Sequence, residues 1–179
     1  VHPYQPAGYY RHLNFPQRTY SQDTDDRQWR RGLYVHWQRM FLHPQLLAFD
    51  APTREECTAQ RSRSNTPKAA LVLLNDPTFI EAARNLAERV LNESESEDDR
   101  LIILWRYAVS RKPDASERKL LKNLLQNSKQ EYQESPKLAE ELLAVGISSS
   151  DDTLDAIERA AWTATARAVL NLRETIGRY

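Results

Sequence analysis

The densest run of side chains able to do chemistry lies between positions 50 and 65, where Asp50, Arg54, Glu55, Cys57, Arg61, Arg63 and Asn65 fall close together. Guanidinium groups beside carboxylates form bidentate, charge-assisted pairs. Such a network can clamp an anionic ligand or a sugar hydroxyl. It can equally pin an irregular connector, because polar groups drawn into a fold must find partners. The structural reading takes precedence, since charged residues near helix ends are commonly structural. The ligand-site reading stays open as the alternative.

Other chemistries meet the sequence less well. Cys57 with His36 or His43 would supply the residue types of a thiolate–imidazole nucleophile. A lone cysteine is more often a small buried apolar residue, so no catalytic residue is assigned. The four histidines, His2, His12, His36 and His43, fall in the first quarter of the chain without a helical His-x-x-x-His pair, and no metal site is expected. Four glycines cannot assemble a phosphate-cradling loop, and none has that spacing. Trp29, Trp37, Trp105 and Trp162 make carbohydrate the candidate ligand class, although each also falls beside an apolar stripe that core packing explains.

Lysine plus arginine balances aspartate plus glutamate at 25 each, so no overall basic footprint points to nucleic acid. A hydrophobic fraction of 40% is enough for a packed core. No apolar run approaches the roughly 20 residues that span a bilayer, and no membrane span is expected. The one cysteine excludes an internal disulfide, and Cys-x-x-Cys-His, the covalent haem motif, does not occur. The chain opens at Val1 without methionine or leader, as expected of a piece of a larger polypeptide.

The elements that must position these groups are helical. Residues 1–28 read as an extended arm, interrupted by Pro3, Pro6, Gly8 and Pro16 and rich in tyrosine and phenylalanine. Residues 29–179 read as a helical domain. Trp29, Leu33, His36, Trp37, Met40 and Phe41 share a face at helical spacing, ended by His43-Pro44. Thr53 to Glu56 has the form of a capping box, predicting a short helix over 54–61. Thr66-Pro67 and Asp76-Pro77 each place a cap before a first-turn proline, the second opening a long amphipathic helix. An acidic linker at 92–99 marks a weak boundary. Helices follow from about 101, from Asp114 or Ser116, over 136–145 with Gly146 just past its end, and from Leu154 to Leu172. No two-residue alternation persists. The fold expected is all-α: an irregular multi-helix bundle with an aromatic-rich, loop-like N-terminal arm.

A string of short segments runs through this frame: Tyr4-Gln5-Pro6-Ala7-Gly8, Arg30-Arg31-Gly32-Leu33-Tyr34, Phe49-Asp50-Ala51-Pro52, Arg54-Glu55, Cys57-Thr58, Asn65-Thr66-Pro67 and Ala70 to Pro77. It resembles the C-terminal domain of unknown function of planctomycete-type cytochrome c proteins, over nearly the whole chain and most densely from Arg30 to Ala83. The resemblance implies a periplasmic or cell-surface address, and a c-type haem in upstream domains rather than in this chain. The aromatic arm and the start at Val1 favour a non-catalytic C-terminal module whose partner is the remainder of its own polypeptide; the alternative is part of an enzymatic or glycan-binding site that uses the Asp50–Asn65 cluster. The resemblance implies no activity. Glu56 stands where that family usually has an apolar residue and Gln60 where it usually has arginine, which reduces the basic character of the cluster.

Overall fold

The computed structural model describes residues 1–13, 17–38, 41–62, 64 and 66–177. Among them the secondary structure is helical, with no strand, as the periodicities predict. The chain divides into two compact units, Val1–Val72 and Leu73–Tyr179.

The first unit is irregular. Three single-turn 3-10 segments, Tyr9–His12, Asp26–Trp29 and Gly32–Tyr34, precede the short helix α1, Pro44–Ala48. The predicted helix from Trp29 to His43 does not form. Gly32 and the β-branched and aromatic run after it propagate a helix poorly. The His36 N–H, which a helix would use internally, donates instead to Val1 O at 2.7 Å. Met40 lies outside the described residues. Pro44 therefore opens a helix rather than ending one: His43 caps it, its Nδ1 accepting from Gln45 N at 3.3 Å, and proline takes the first position, where its missing N–H costs nothing.

The aromatic arm packs within this unit. Tyr4 is buried, its N–H donating to Gln28 Oε1 at 3.1 Å. Tyr9 and Tyr10 meet Phe41 edge-on, Tyr10 meets Tyr20, and the Tyr9 hydroxyl donates to Leu42 O at 3.0 Å. Edge-to-face contacts of this kind add about 0.5–1.5 kcal/mol each beyond burial. Buried His43 donates from Nε2 to Tyr4 O at 2.8 Å while Nδ1 accepts, which fixes the neutral tautomer and ties the arm to the start of α1.

Helix α2, Pro67–Asn75, crosses from the first unit into the second. The second unit continues with α3, Pro77–Glu93; α4, Glu97–Val109; α5, Ala115–Glu134; α6, Pro136–Leu143; α7, Ala156–Leu170; and the single turn α8, Arg173–Ile176. Caps start these helices. Asp76, Ser96 and Asp155 each accept a first-turn N–H. Asp114 and Glu117 form a reciprocal capping box, which decides between the two caps considered from sequence. The acidic stretch 92–99 is largely helical: its ends belong to α3 and α4, leaving only residues 94–96 as connector.

The core sits around α7, against which α3, α5 and α6 pack. Ala160, Ala161, Trp162 and Ala166 are wholly buried, and the alanines let the neighbouring helices approach closely. Ala83, Ala87 and Val90 of α3, Leu101 and Leu104 of α4 and Leu125 of α5 complete the interior. Asn171 ends α7 in place of the longer terminal helix predicted, and Thr175 Oγ1 donates back to Val169 O at 2.9 Å.

Candidate functional site

The described residues between Asp50 and Ser64 form a loop, exposed from Thr53 onward, rather than the predicted helix over 54–61. Between positions 54 and 61 only Cys57 and Ala59 are apolar, so a helix there would bury almost nothing to offset its nucleation. Thr53 Oγ1 accepts from the Glu55 N–H at 3.4 Å, a local turn in place of a capping box. Arg54 takes the left-handed region at φ 64°, which a helix excludes.

Two contacts close the loop at its base. The Asp50 carboxylate accepts from Ser64 N at 2.7 Å and from Ser64 Oγ at 2.6 and 2.7 Å. These bonds hold Asp50 below the usual carboxylate range, the hydroxyl contributing most and the backbone N–H next. Arg61 donates through Nε to Asp50 O at 3.0 Å and through its terminal nitrogen to Phe49 O. Asp50 itself sits at φ 55°, so the base is a tight reversal held by side chains. Higher in the loop, the Arg54 guanidinium lies over the Trp37 ring, 3.9 Å from its centroid.

The structure thus brings together Asp50 with Arg61, and Arg54 with Trp37. It leaves Glu55 and Cys57 on the exposed rim. Arg63 and Asn65 lie outside the described residues. Among the described residues no hydrogen bond joins Cys57 to an imidazole: both His43 ring nitrogens are engaged elsewhere, and the His36 ring stacks on His2 at 4.8 Å. Also among the described residues, no group of three or more His, Cys, Asp or Glu side chains converges, and no helix is long and apolar enough to cross a membrane.

A second polar cluster was not singled out from the sequence. Glu81 and Arg84 of α3 are almost wholly buried, 3.8 Å apart. Glu81 Oε1 accepts from Ile147 N at 3.1 Å and from Ser148 N. Arg84 donates to Leu143 O, to Val145 O at 2.9 Å, to Ser148 O at 2.8 Å and to Ser148 Oγ at 2.6 Å. One helical turn on, Glu88 accepts from Asp151 N at 3.3 Å and lies 3.8 Å from Arg159 of α7, which donates to Asp151 O. Glu81, Arg84 and Glu88 at spacings of three and four form a charged stripe beside the apolar one, and that adjacency was the available signal. These groups bind the backbone of the α6–α7 connection.

The tryptophans divide. Trp105 and Trp162 are buried in the second unit's core, Trp37 lies under Arg54, and Trp29 is 42% exposed. Leu33 and Tyr34 beside it, and Leu47 on α1, are exposed as well. No curated protein and no solved structure matches the chain. A family model described as PSD1, a protein of unknown function (DUF1553), matches residues 1–125, the greater part of the sequence and all of the first unit. The chain belongs to that family.

Proposed function

We propose that this chain is a non-catalytic helical module that packs against upstream domains of a larger, exported cytochrome c-like polypeptide. The observation that carries this reading is the apolar surface of the first unit. Trp29, Leu33, Tyr34 and Leu47 are all exposed. The two stretches that bear them adjoin, because a Cβ built at Gly32 would stand 3.2 Å from Leu46 Cδ2. Contiguous exposed apolar surface marks an interaction site. The resemblance to planctomycete-type cytochrome c proteins names the occupant as the remainder of the same polypeptide, at a periplasmic or cell-surface address.

The polar loop supports the same reading. Asp50 and Arg61 are used to close the loop, and Arg54 covers the Trp37 face on which a sugar ring would otherwise stack. Any haem belongs to the upstream domains: Cys57 is the only cysteine here, so this chain's residues do not fit the paired-thiol attachment.

The test uses the whole polypeptide. Leu33 is 73% exposed, so Leu33→Asp leaves the module's own packing intact. The expected result is faster amide exchange over 29–34 and 44–48, with new protease cleavage between the module and its upstream domains. Leu138→Asp, at an exposed position on α6, is the control and leaves both unchanged. Identical exchange and cleavage in wild type and Leu33→Asp would overturn the reading.

A further inference from the structure

Three of the four histidines meet at residues 1–4. His2 lies within that segment, its ring stacked on the His36 ring at 4.8 Å with Tyr20 edge-on at 5.4 Å. His43 reaches the segment from the start of α1, donating to Tyr4 O at 2.8 Å. The fourth, His12, is exposed and bonded to Arg11 beside it.

The same segment fastens the stretches that bear the exposed apolar residues. Tyr4 N donates to Gln28 Oε1 at 3.1 Å, just before Trp29, and His36 N donates to Val1 O at 2.7 Å, just after Leu33 and Tyr34. Asp23 is tied in from the other side: its N–H donates to His2 O at 2.9 Å, and its carboxylate accepts from His2 N at 2.9 Å. Leu47 rides on α1, which His43 caps by accepting from Gln45 N through Nδ1. Each half of the apolar face is thus held to residues 1–4 beside an imidazole, the side chain that ordinarily changes charge between pH 5 and 8.

Protonation works against all of these contacts. His2 and His36 would carry like charges on stacked rings, with Arg27 and the terminal ammonium of Val1 adding to the repulsion. The opposing carboxylate, Asp23, is already engaged by His2 N and by Arg27 at 3.3 Å. Tyr20, whose hydroxyl donates to Pro3 O, is kept protonated by burial and brings no charge. A proton on His43 Nδ1 removes the acceptor for Gln45 N and with it the cap of α1.

We propose that residues 1–4 form an acid-sensitive clasp, which holds the apolar docking face together at neutral pH and lets go of it on acidification, releasing the upstream domains. The release rests on the reading of that face as a docking surface; the clasp does not. Burial, and next the facing His36, lower the His2 value from 6.5. The clasp is therefore complete above pH 6.5 and is lost as pH falls through the folded value.

Amide exchange on this chain tests the clasp, and protease cleavage of the whole polypeptide tests the release. Both are read at about pH 7.5 and about pH 5.5, an interval in which imidazoles titrate and ordinary carboxylates stay charged. Protection of the Asp23, His36 and Gln45 amides, corrected for the intrinsic exchange rate, falls in acid by up to about tenfold for each imidazole that gains a proton. Over the same interval, cleavage between the module and its upstream domains speeds up relative to His2→Gln, His36→Gln, a comparison that cancels the protease's own response to pH. That double variant also flattens the dependence at the Asp23 and His36 amides, whereas His12→Gln alters nothing. Wild-type protection that changes by less than about twofold would overturn the clasp. If the clasp opens and cleavage does not change, although Leu33→Asp still speeds cleavage, the release is overturned and the docking surface stands. Should Leu33→Asp also have no effect, the docking surface is what fails, and the release falls with it.

Discussion

Gly146 is the position where one added methyl group should cost this protein most. Its φ of +103° lies where side-chain-bearing residues are rarely found, and its α-carbon faces Glu81. A Cβ there would stand 2.6 Å from the Glu81 carboxyl carbon and 2.9 Å from Oε2. Glu81 has no room to retreat, being wholly buried with its carboxylate bound to the Ile147 and Ser148 amides. Two costs follow from Gly146→Ala. Backbone strain contributes about 1–3 kcal/mol, and displacing a buried carboxylate from an amide contributes about 1.5–3 kcal/mol per hydrogen bond. Their sum where one such bond is lost, about 2.5–6 kcal/mol, is a large share of the stability of a domain of about a hundred residues and lowers Tm by about 12–30 °C at roughly 5 °C per kcal/mol.

Thermal and urea unfolding followed by far-ultraviolet circular dichroism reads this directly. The strain and the collision separate in a double-mutant cycle with Glu81→Ala, which removes the collision but not the strain. Gly146→Ala then costs no more than the strain alone. If it costs the same in both backgrounds, or less than about 1 kcal/mol in the wild type, Glu81 does not hold the α6–α7 connection against this glycine and the reasoning fails.

Arg54→Ala is mild because the residue is exposed: about 1 kcal/mol from the lost cation–π contact, with Arg54→Gly less destabilising still because it relieves the backbone at φ 64°, both read from urea unfolding. Asp50→Asn opens the 50–64 loop, seen as faster tryptic cleavage after Arg54 and Arg61. Because its hydrogen bonds with Ser64 depress the Asp50 value in the fold, the wild-type closure is present above the usual carboxylate value of 3.8 and is lost as pH falls through the folded value. Burial first, and then the charge of His36, lowers the His2 value, while nearby Asp23 opposes this and Arg27 and the terminal ammonium add to it. Docking of the first residues is therefore complete above pH 6.5 and weakens as pH falls below it, so the protection factors of the Asp23 and His36 amides, corrected for the intrinsic exchange rate at each pH, fall on acidification and His2→Gln flattens the dependence. A chain ending at Leu125, where the family match stops, lacks α6 and α7 and shows no cooperative unfolding transition, since α7 supplies the wholly buried Ala160, Ala161, Trp162 and Ala166.

What the sequence disclosed follows from where each contact is made. In the second unit the start signals are local, and they formed as written: Asp76-Pro77 opens α3 and Asp114 with Glu117 opens α5, each within a few residues of its own cap. Apolar stripes there reported burial for most positions, because helices α3 to α7 turn those faces to one core, but Leu120, expected to face inward with Leu121, Leu124 and Leu125, is 68% exposed on the outer side of α5. In the first unit the same grammar held at Thr66-Pro67, where Thr66 Oγ1 accepts from Ala69 N and α2 begins, but misled before it. The Trp29–Phe41 periodicity is real in the sequence, but the His36 amide and the His43 ring are claimed by Val1 and Tyr4, more than thirty residues away. Nothing local announces such partners, and a short helix of modest propensity yields to them.

The polar groups show the same division more sharply. Clustering along the sequence drew attention to residues 50–65, yet proximity in sequence produced an exposed loop in which Asp50 and Arg61 satisfy their neighbours' backbone. The carboxylates and guanidiniums that the fold does bury are dispersed: Glu81, Arg84 and Glu88 on one helix, Arg159 on another, and the loop they hold some sixty residues beyond α3. Burying charge is costly unless every group is met by a partner, so a buried set must be assembled from distant elements whose backbones can supply donors and acceptors from several directions. A run of charges within fifteen residues cannot surround itself in that way. In a small helical protein such as this one, charges spaced three and four apart beside an apolar stripe, as Glu81, Arg84 and Glu88 are, are therefore the better sequence signal of an internal polar centre, and a dense charged run the better signal of surface.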